Sequence, residues 1–422
     1  MTGLIIAAPS SGAGKTTVTL ALLRLLAREG ITVRGAKSGP DYIDPRFHEA
    51  ACDAPCMNLD AWAMPPDRLQ ALAAGDGLLI IEGAMGLFDG APPDGKGAVA
   101  DLARLLRLPV ILVVDAGRMA GSVAPLVAGF AHHDPDVPVK GVILNNVGSD
   151  RHETMLRRAL EPLNLPVLAA MRRAPDLSLP SRHLGLVQAG ERVDLDQFLN
   201  RAADALATTL DHEALLALAR PLPVATARAR FAPPAQVIAV ARDRAFAFCY
   251  PHLLSDWRAM GAEVKFFSPL ADDPVPKAGF IYLPGGYPEL HAGRLAQNTR
   301  FRESLKNAAQ DTLIYGECGG YMTLGAGLTD ADGQRHEMLG LLPLETSFAT
   351  RKLHLGYRDL TPLHGPFKMP LKAHEFHYAT TLRAKGPALF SAKDAEGTDL
   401  PDMGLSLGRV SGSFAHIIDP TG

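Results

Sequence analysis

Two doubly wound α/β domains in series are what this 422-residue chain predicts. Three observations carry that expectation. Short, continuous apolar runs alternate with helical patterns, as in parallel sheets covered on both faces. A glycine-rich loop joins the first apolar run to the first helical pattern. A Pro/Ala/Arg-rich stretch at 221–234 then precedes a second series of the same kind.

The elements follow in order. Residues 4–8 (LIIAA) form the first strand, ending in a Pro/Ser/Gly turn. From Lys15 to Arg28, Val18, Leu22, Leu25 and Leu26 recur at helical spacing, and Gly30 supplies a stop. Strands are predicted at 31–36, 78–81, 110–114 and 141–144, and one Ala/Leu-rich helix over 196–220. The second series has strands at 237–240, 279–283 and 312–315. The predicted divisions are 1–195, a helix and linker over 196–235, and 236–422.

Composition narrows the function classes. A net charge of -3 provides no basic field to hold a nucleic-acid backbone, so none is expected as a partner. The N-terminus lacks a positively charged leader, and no apolar stretch reaches the roughly 18–20 residues that a membrane helix needs. Four cysteines in so long a chain fit a reducing cytosol, so a cytoplasmic location is expected. Cys52 and Cys56 lack a second Cys/His pair nearby and make a weak metal motif.

Residues 8–17 (APSSGAGKTT) lie between the first strand and the first helix, where backbone N–H groups can wrap phosphates at a helix N-terminus. Gly12, Ala13, Gly14, Lys15, Thr16 and Thr17 are the predicted ATP-binding residues. Lys15 would reach the β- and γ-phosphates and Thr16 would ligate Mg2+. Pro9 replaces the first glycine of the usual pattern. Asn145, closing the 141–144 strand, is a candidate reader of the adenine edge.

Acidic residues recur at strand ends, the rim where open α/β sheets bind ligands. Asp41 and Asp44 sit in GPDYIDP (39–45), and Glu82 opens EGAMGLFDG (82–90). Asp41 and Glu82 are, with Thr16, the candidate magnesium ligands. Asp41, Tyr42 and Asp89 are candidates for a pocket that holds a carboxylate substrate. Asp115 is either a further ligand or a turn residue.

A second chemistry is written into GECGG (316–320). Cys318 directly follows a strand, on a turn into a helix whose N-terminus favours a thiolate. Gly285 and Gly286 in LPGGYPE (283–289), with Gly319, are candidates for an oxyanion hole. His416 in SFAH (413–416) is the candidate base. HEFHY (374–378) has His-Glu-x-His spacing, which fails the metalloprotease pattern. Read as a strand, it places Glu375 and His377 on one face.

These motifs, together with LGY at 355–357, run in order through nearly the whole chain. They resemble the cobyrinic or hydrogenobyrinic acid a,c-diamide synthase family of cobalamin biosynthesis. The resemblance implies an N-terminal ATP-binding domain similar to dethiobiotin synthetase and a C-terminal domain of the class I glutamine amidotransferase type. It implies a corrinoid macrocycle as partner, with ATP and glutamine as co-substrates, and amidation of two acetate carboxylates through an acyl phosphate. Glu375 and His377 would line the route between the two centres and touch substrate. Most class I enzymes place an acid two residues after the histidine. Here that residue is Ile418, so a Cys–His dyad is implied, with Asp419 one residue further on.

A homodimer is carried as an expectation. Two rival readings stand beside this one. One is amidation of another tetrapyrrole, as in cobyric acid synthase or nickel-sirohydrochlorin diamide synthase. The other is a P-loop ATPase switch with a degenerate second domain.

Overall fold

The computed structural model describes residues 1–177, 181–182, 185–224 and 229–421, so residues 225–228 of the predicted linker lie outside the described residues. The chain divides into two compact units, Met1–Ala227 and Arg228–Gly422.

The first unit is built on seven parallel strands: β1 (Thr2–Ala7), β2 (Val33–Ser38), β3 (Met57–Leu59), β4 (Leu78–Glu82), β5 (Val110–Asp115), β6 (Val139–Val147) and β7 (Val167–Arg172). They lie in the order β3-β2-β4-β1-β5-β6-β7, and the short strand Arg220–Pro221 adds antiparallel to β1. All five residues of β4 are buried, as its unbroken apolar run requires. From β1 the chain winds outward in both directions. The rim beside β1 is therefore the switch point at which such sheets bind ligands.

Two boundaries depart from the sequence reading. Strand β2 runs on to Ser38, so Lys37 lies inside a buried strand rather than in the loop after it. The predicted helix 196–220 is two helices, Leu195–Ala207 and His212–Leu218. Asp211 accepts the N–H of Ala214 and starts the second one, and a polar N-cap of this kind outcompetes continuation. Leu195–Ala207 packs on α1 (Lys15–Arg28) and belongs to the first unit.

In the second unit, five parallel strands lie in the order Glu263–Phe267, Val237–Ala241, Phe280–Leu283, Leu313–Glu317, Val410–Ser413, and Leu405–Leu407 closes the edge antiparallel. A five-stranded antiparallel sheet, absent from the sequence reading, holds Asp399–Met403, Phe390–Lys393, His354–Pro362, Leu371–His377 and Ala415–Pro420. A four-stranded sheet between residues 327 and 384 adds to these. Strands Val410–Ser413 and Ala415–Pro420 belong to different sheets, and Phe414 alone joins them. Among the described residues, no helix is long and apolar enough to cross a membrane.

Candidate functional site

Two centres emerge, one in each unit. In the first, β1 ends in the glycine-rich loop and α1 begins at Lys15. Gly14 takes a left-handed φ of 91°, and a methyl there would stand 2.1 Å from Nδ2 of Asn145, so only glycine fits. Lys15 is buried, and its ammonium donates to the carbonyl of Met85 at 2.6 Å. Burial lowers its pKa, as does the nearby Lys37.

The loop borders a cavity of about 740 Å³ lined also by Lys37, Asp41, Asp44, Glu82 and Asn145. Thr16 donates its hydroxyl to Glu82 Oε1 at 2.6 Å. Lys37 Nζ bridges Glu82 at 2.7 Å and Asp44 at 2.5 Å, and His48 Nε2 holds the other Glu82 oxygen at 2.6 Å. Burial alone would raise the Glu82 carboxyl, but Lys37 and His48 hold it well below the usual carboxylate range. Burial would lower Lys37, and its two carboxylate partners push it up instead. Burial, with Asp41 and Glu82, pushes the Asp44 carboxyl up to about 7, so the Lys37–Glu82 pair is the part of the cluster that holds its charge. Thr16 and the remaining oxygen of Asp41 are hard donors of the kind Mg2+ takes, whereas both Glu82 oxygens already accept from Thr16, Lys37 and His48, so Glu82 would join a metal only by exchanging one of these partners.

Sequence reasoning passed over Lys37 and His48. The available signal was a lysine directly before the GPDYIDP segment, at the end of the sheet where the phosphate loop lies, and a buried charge there persists only if paired. Other candidates take different places. The Asn145 amide donates to Ala13 O at 3.0 Å, so it braces the loop from the cavity wall. Asp41 Oδ1 accepts the N–H groups of Ile43 and Asp44, leaving one oxygen for a ligand. Asp89 is exposed and caps Gly86 at 2.9 Å, and Tyr42 is buried; neither lines the cavity. Asp115 caps its own turn through Gly117 and Asn146. Cys56 lies against His48, its Sγ 3.4 Å from Nδ1.

In the second unit, Cys318 occupies the elbow between Leu313–Glu317 and the short helix Gly319–Leu324, at φ 42° and ψ -99°. A non-glycine residue held at positive φ is strained, and such strain collects at functional positions. Cys318 N donates to Ser413 O at 2.8 Å, tying the elbow to the neighbouring strand. A methyl on Gly319 would stand 3.0 Å from Gly286 N, so the LPGGYPE loop lies directly against the elbow. A methyl on Gly285 would stand 2.2 Å from Cε1 of His416. The loop, the elbow and His416 thus meet at one place.

The thiol does not rest as the thiolate that the sequence suggested. Cys318 and His416 are each 1% exposed. Burial pushes the Cys318 thiol up, as do Glu289, Glu375 and Glu317, against a single lowering N–H from Gly319. The six-residue helix is too short to reverse that. Burial, with His374 and His377, pulls His416 down to about 3. Thiol and imidazole therefore rest neutral, and the proton moves only as the sulfur attacks.

Glu375 and His377 lie on Leu371–His377, beside the histidine strand, with His374 paired to His416 and Glu375 to Ala415. Glu375 accepts from Arg358 at 2.8 Å and from His377 at 2.9 Å. His354, Glu375 and His377 could bring three metal-ligating atoms within 4.8 Å. However, the two imidazoles stack at 4.6 Å and 8°, which aims their lone pairs side by side, and Arg358 already neutralises the carboxylate.

These buried groups set a pH dependence. His416 falls from 6.5 to about 3 and His374 to about 4, so both bind fewer protons folded than unfolded, and stability is lost as pH falls below 6.5. Glu317 is raised by burial from 4.5 to about 8, so its contribution is full below 4.5 and is lost as pH rises through 8. From 4.5 to 6.5 two histidines oppose one glutamate, and from 6.5 to 8 the glutamate acts alone. The second unit is therefore expected to be most stable near pH 6.5, with slopes of about 1.4 kcal/mol per pH unit per group. Denaturation followed through Trp257 fluorescence checks this. A midpoint that keeps rising from pH 6.5 to 8 contradicts it.

The comparisons with known proteins fit both centres. Residues 4–187 match the CobQ/CobB/MinD/ParA nucleotide binding domain, and residues 237–420 match the CobB/CobQ-like glutamine amidotransferase domain. A hydrogenobyrinate a,c-diamide synthase of Brucella anthropi is 57% identical over 99% of this chain and 99% of its own. Those of Rhizobium meliloti and Rhodobacter capsulatus are 58% and 51% identical, each over 99% of this chain and over 99% and 98% of their own.

Proposed function

Because the chain belongs to the hydrogenobyrinate a,c-diamide synthase family, we propose that it amidates the a and c acetate carboxylates of hydrogenobyrinic acid, activating each with ATP and drawing nitrogen from glutamine. Identity of 57% along the full length carries the reading, because it spans both centres.

Amidating a carboxylate in water is uphill, so the acid is activated first. A substrate carboxylate oxygen attacks the γ-phosphorus, ADP leaves, and an acyl phosphate forms. Lys15, Lys37 and the loop N–H groups neutralise the developing charge from fixed positions, at no cost in reorganisation. Thr16, Asp41 and Glu82 are the residues that would hold Mg2+, which when bound screens the phosphate oxygens. Asp89, exposed in the loop that carries Met85, is assigned to macrocycle contact at the rim, and the buried Tyr42, adjacent to Asp41, to supporting it from within.

Glutamine is opened at the other centre. Sγ of Cys318 attacks the amide carbon as His416 takes the thiol proton. The N–H groups of Gly286 and Gly319 receive the oxyanion. His416 returns the proton to the departing nitrogen, NH3 leaves, and water hydrolyses the thioester. Ammonia then displaces phosphate from the acyl phosphate. None of the four cysteines forms a disulfide, which supports a reducing, cytoplasmic setting.

Incubation of the protein with ATP, Mg2+, glutamine and either hydrogenobyrinic or cobyrinic acid, read by mass spectrometry, tests the substrate. Two carboxyls of hydrogenobyrinic acid are expected to become amides. An unaltered hydrogenobyrinic acid, or conversion of the cobalt macrocycle alone, overturns the assignment.

A further inference from the structure

An imidazole that shuttles a proton needs one ring nitrogen oriented by a partner, so that the other faces the nucleophile. No acid stands two residues after His416 on its own strand. The position two residues on is Ile418, fully buried. Asp419 is also buried; a bulge at Ile418 breaks the alternation there, and the Asp419 carboxylate stands 3.5 Å from Arg230.

The acid comes instead from the elbow strand. Glu317, the residue before Cys318, is 2% exposed and places Oε2 3.6 Å from Nδ1 of His416. Its carboxyl is itself held. Tyr282 donates its hydroxyl to Oε2 at 2.6 Å, and the N–H of Ile417 donates to Oε1 at 3.1 Å. A carboxyl fixed by two strands and aimed at the ring of the base has the geometry of an orienting group. The 3.6 Å gap is of the kind that tightens when substrate fills a site.

We propose that Glu317 is the positioning acid of the glutaminase centre, holding His416 by Nδ1 so that Nε2 serves the thiol of Cys318. Nucleophile and orienting acid are then neighbours in the chain, and only the base comes from a distant strand. The proposal rests on the glutaminase reading of Cys318 and His416.

The charged and titratable groups around the pair are few. His374, His377 and Glu375 face His416 from the adjoining strand. Tyr282 and Tyr315 face Glu317. Glu289, Glu375 and Glu317 face the thiol. Burial pushes Glu317 up to about 8, so it is largely protonated at neutral pH and ionises in the alkaline range. The ionised form is the one that stabilises an imidazolium.

The test is glutamine hydrolysis against pH in the full chain, with Cys318→Ala beside Glu317→Gln. Wild-type kcat/KM is expected to rise with pH through an inflection near 8. Glu317→Gln should lose about 10²- to 10⁴-fold in kcat with KM little changed. It should also lose the inflection and keep ammonia-dependent amidation. A merely structural glutamate would lower stability and ammonia-dependent amidation together and leave the inflection in place, and that outcome overturns the proposal. A Glu317→Gln variant with wild-type kcat beside an inactive Cys318→Ala also overturns it. Glutaminase activity surviving in Cys318→Ala overturns the reading beneath it. If Glu317→Gln does not fold, Glu317→Asp replaces it. Reduced kcat with a displaced inflection is expected there, and a wild-type profile counts against the acid.

Discussion

Cys318→Ala is expected to lose roughly 10⁴-fold or more in glutamine-dependent amidation while amidation with added ammonium salt at alkaline pH is retained. The sulfur is the only atom that the second unit contributes covalently in the proposed reaction. Without it, no thioester forms and no nitrogen is released. The activation of the carboxylate uses Lys15, Lys37 and the phosphate loop, all within the first unit, and needs only NH3 from solution. Alanine at 318 retains the buried apolar contacts of the cysteine Cβ, and the elbow stays tied through its N–H to Ser413. Thermal stability should therefore change little. Amidation assayed with each nitrogen source in turn separates the outcomes. Loss of both activities in a folded protein would defeat the division of labour.

Lys15→Ala should reduce both activities, by roughly 10²–10³-fold, because it removes one preorganised charge from the transferring phosphoryl group. Glutamine hydrolysis by Cys318 alone should continue. The ammonium is buried and anchored on Met85 O, so it costs nothing to position at the moment of transfer. Its replacement also relieves repulsion with Lys37, so folding should not suffer. ATP turnover measured with either nitrogen source reads the effect. Wild-type amidation rates in this variant would remove Lys15 from the phosphate site.

Much of each centre was legible in the chain, for a physical reason. Lys15 and Thr16 open a helix after a glycine-rich loop, Glu82 ends a buried apolar run, and Cys318 sits in a glycine-flanked turn after another, and residues of these types at such places are unusual enough to be noticed. Lys37 and Glu317 lie inside their strands, Lys37 next to last and Glu317 last, and only their partners, such as Glu82 and Asp44 for Lys37, show that a charge there can be buried. Asn145 lies at the cavity, and its bond to Ala13 O could not be read from the sequence, since an amide does not reveal which carbonyl it meets. The strand His354–Pro362 escaped notice because most of its residues are only partly buried, which erases the alternation that marks a half-buried strand. The Leu195–Ala207 helix shows its face clearly, but nothing in its sequence says which unit it joins.

In the second unit the nucleophile and the base are held by two different sheets. Ser413 ends a strand of the parallel sheet and accepts the N–H of Cys318, and three residues later His416 stands in the antiparallel sheet. A single residue, Phe414, spans the seam. The gap between sulfur and imidazole is thus geared to the alignment of two sheets and not to side-chain rotation alone. The distance that the proton must cross is therefore fixed by backbone pairing in both sheets.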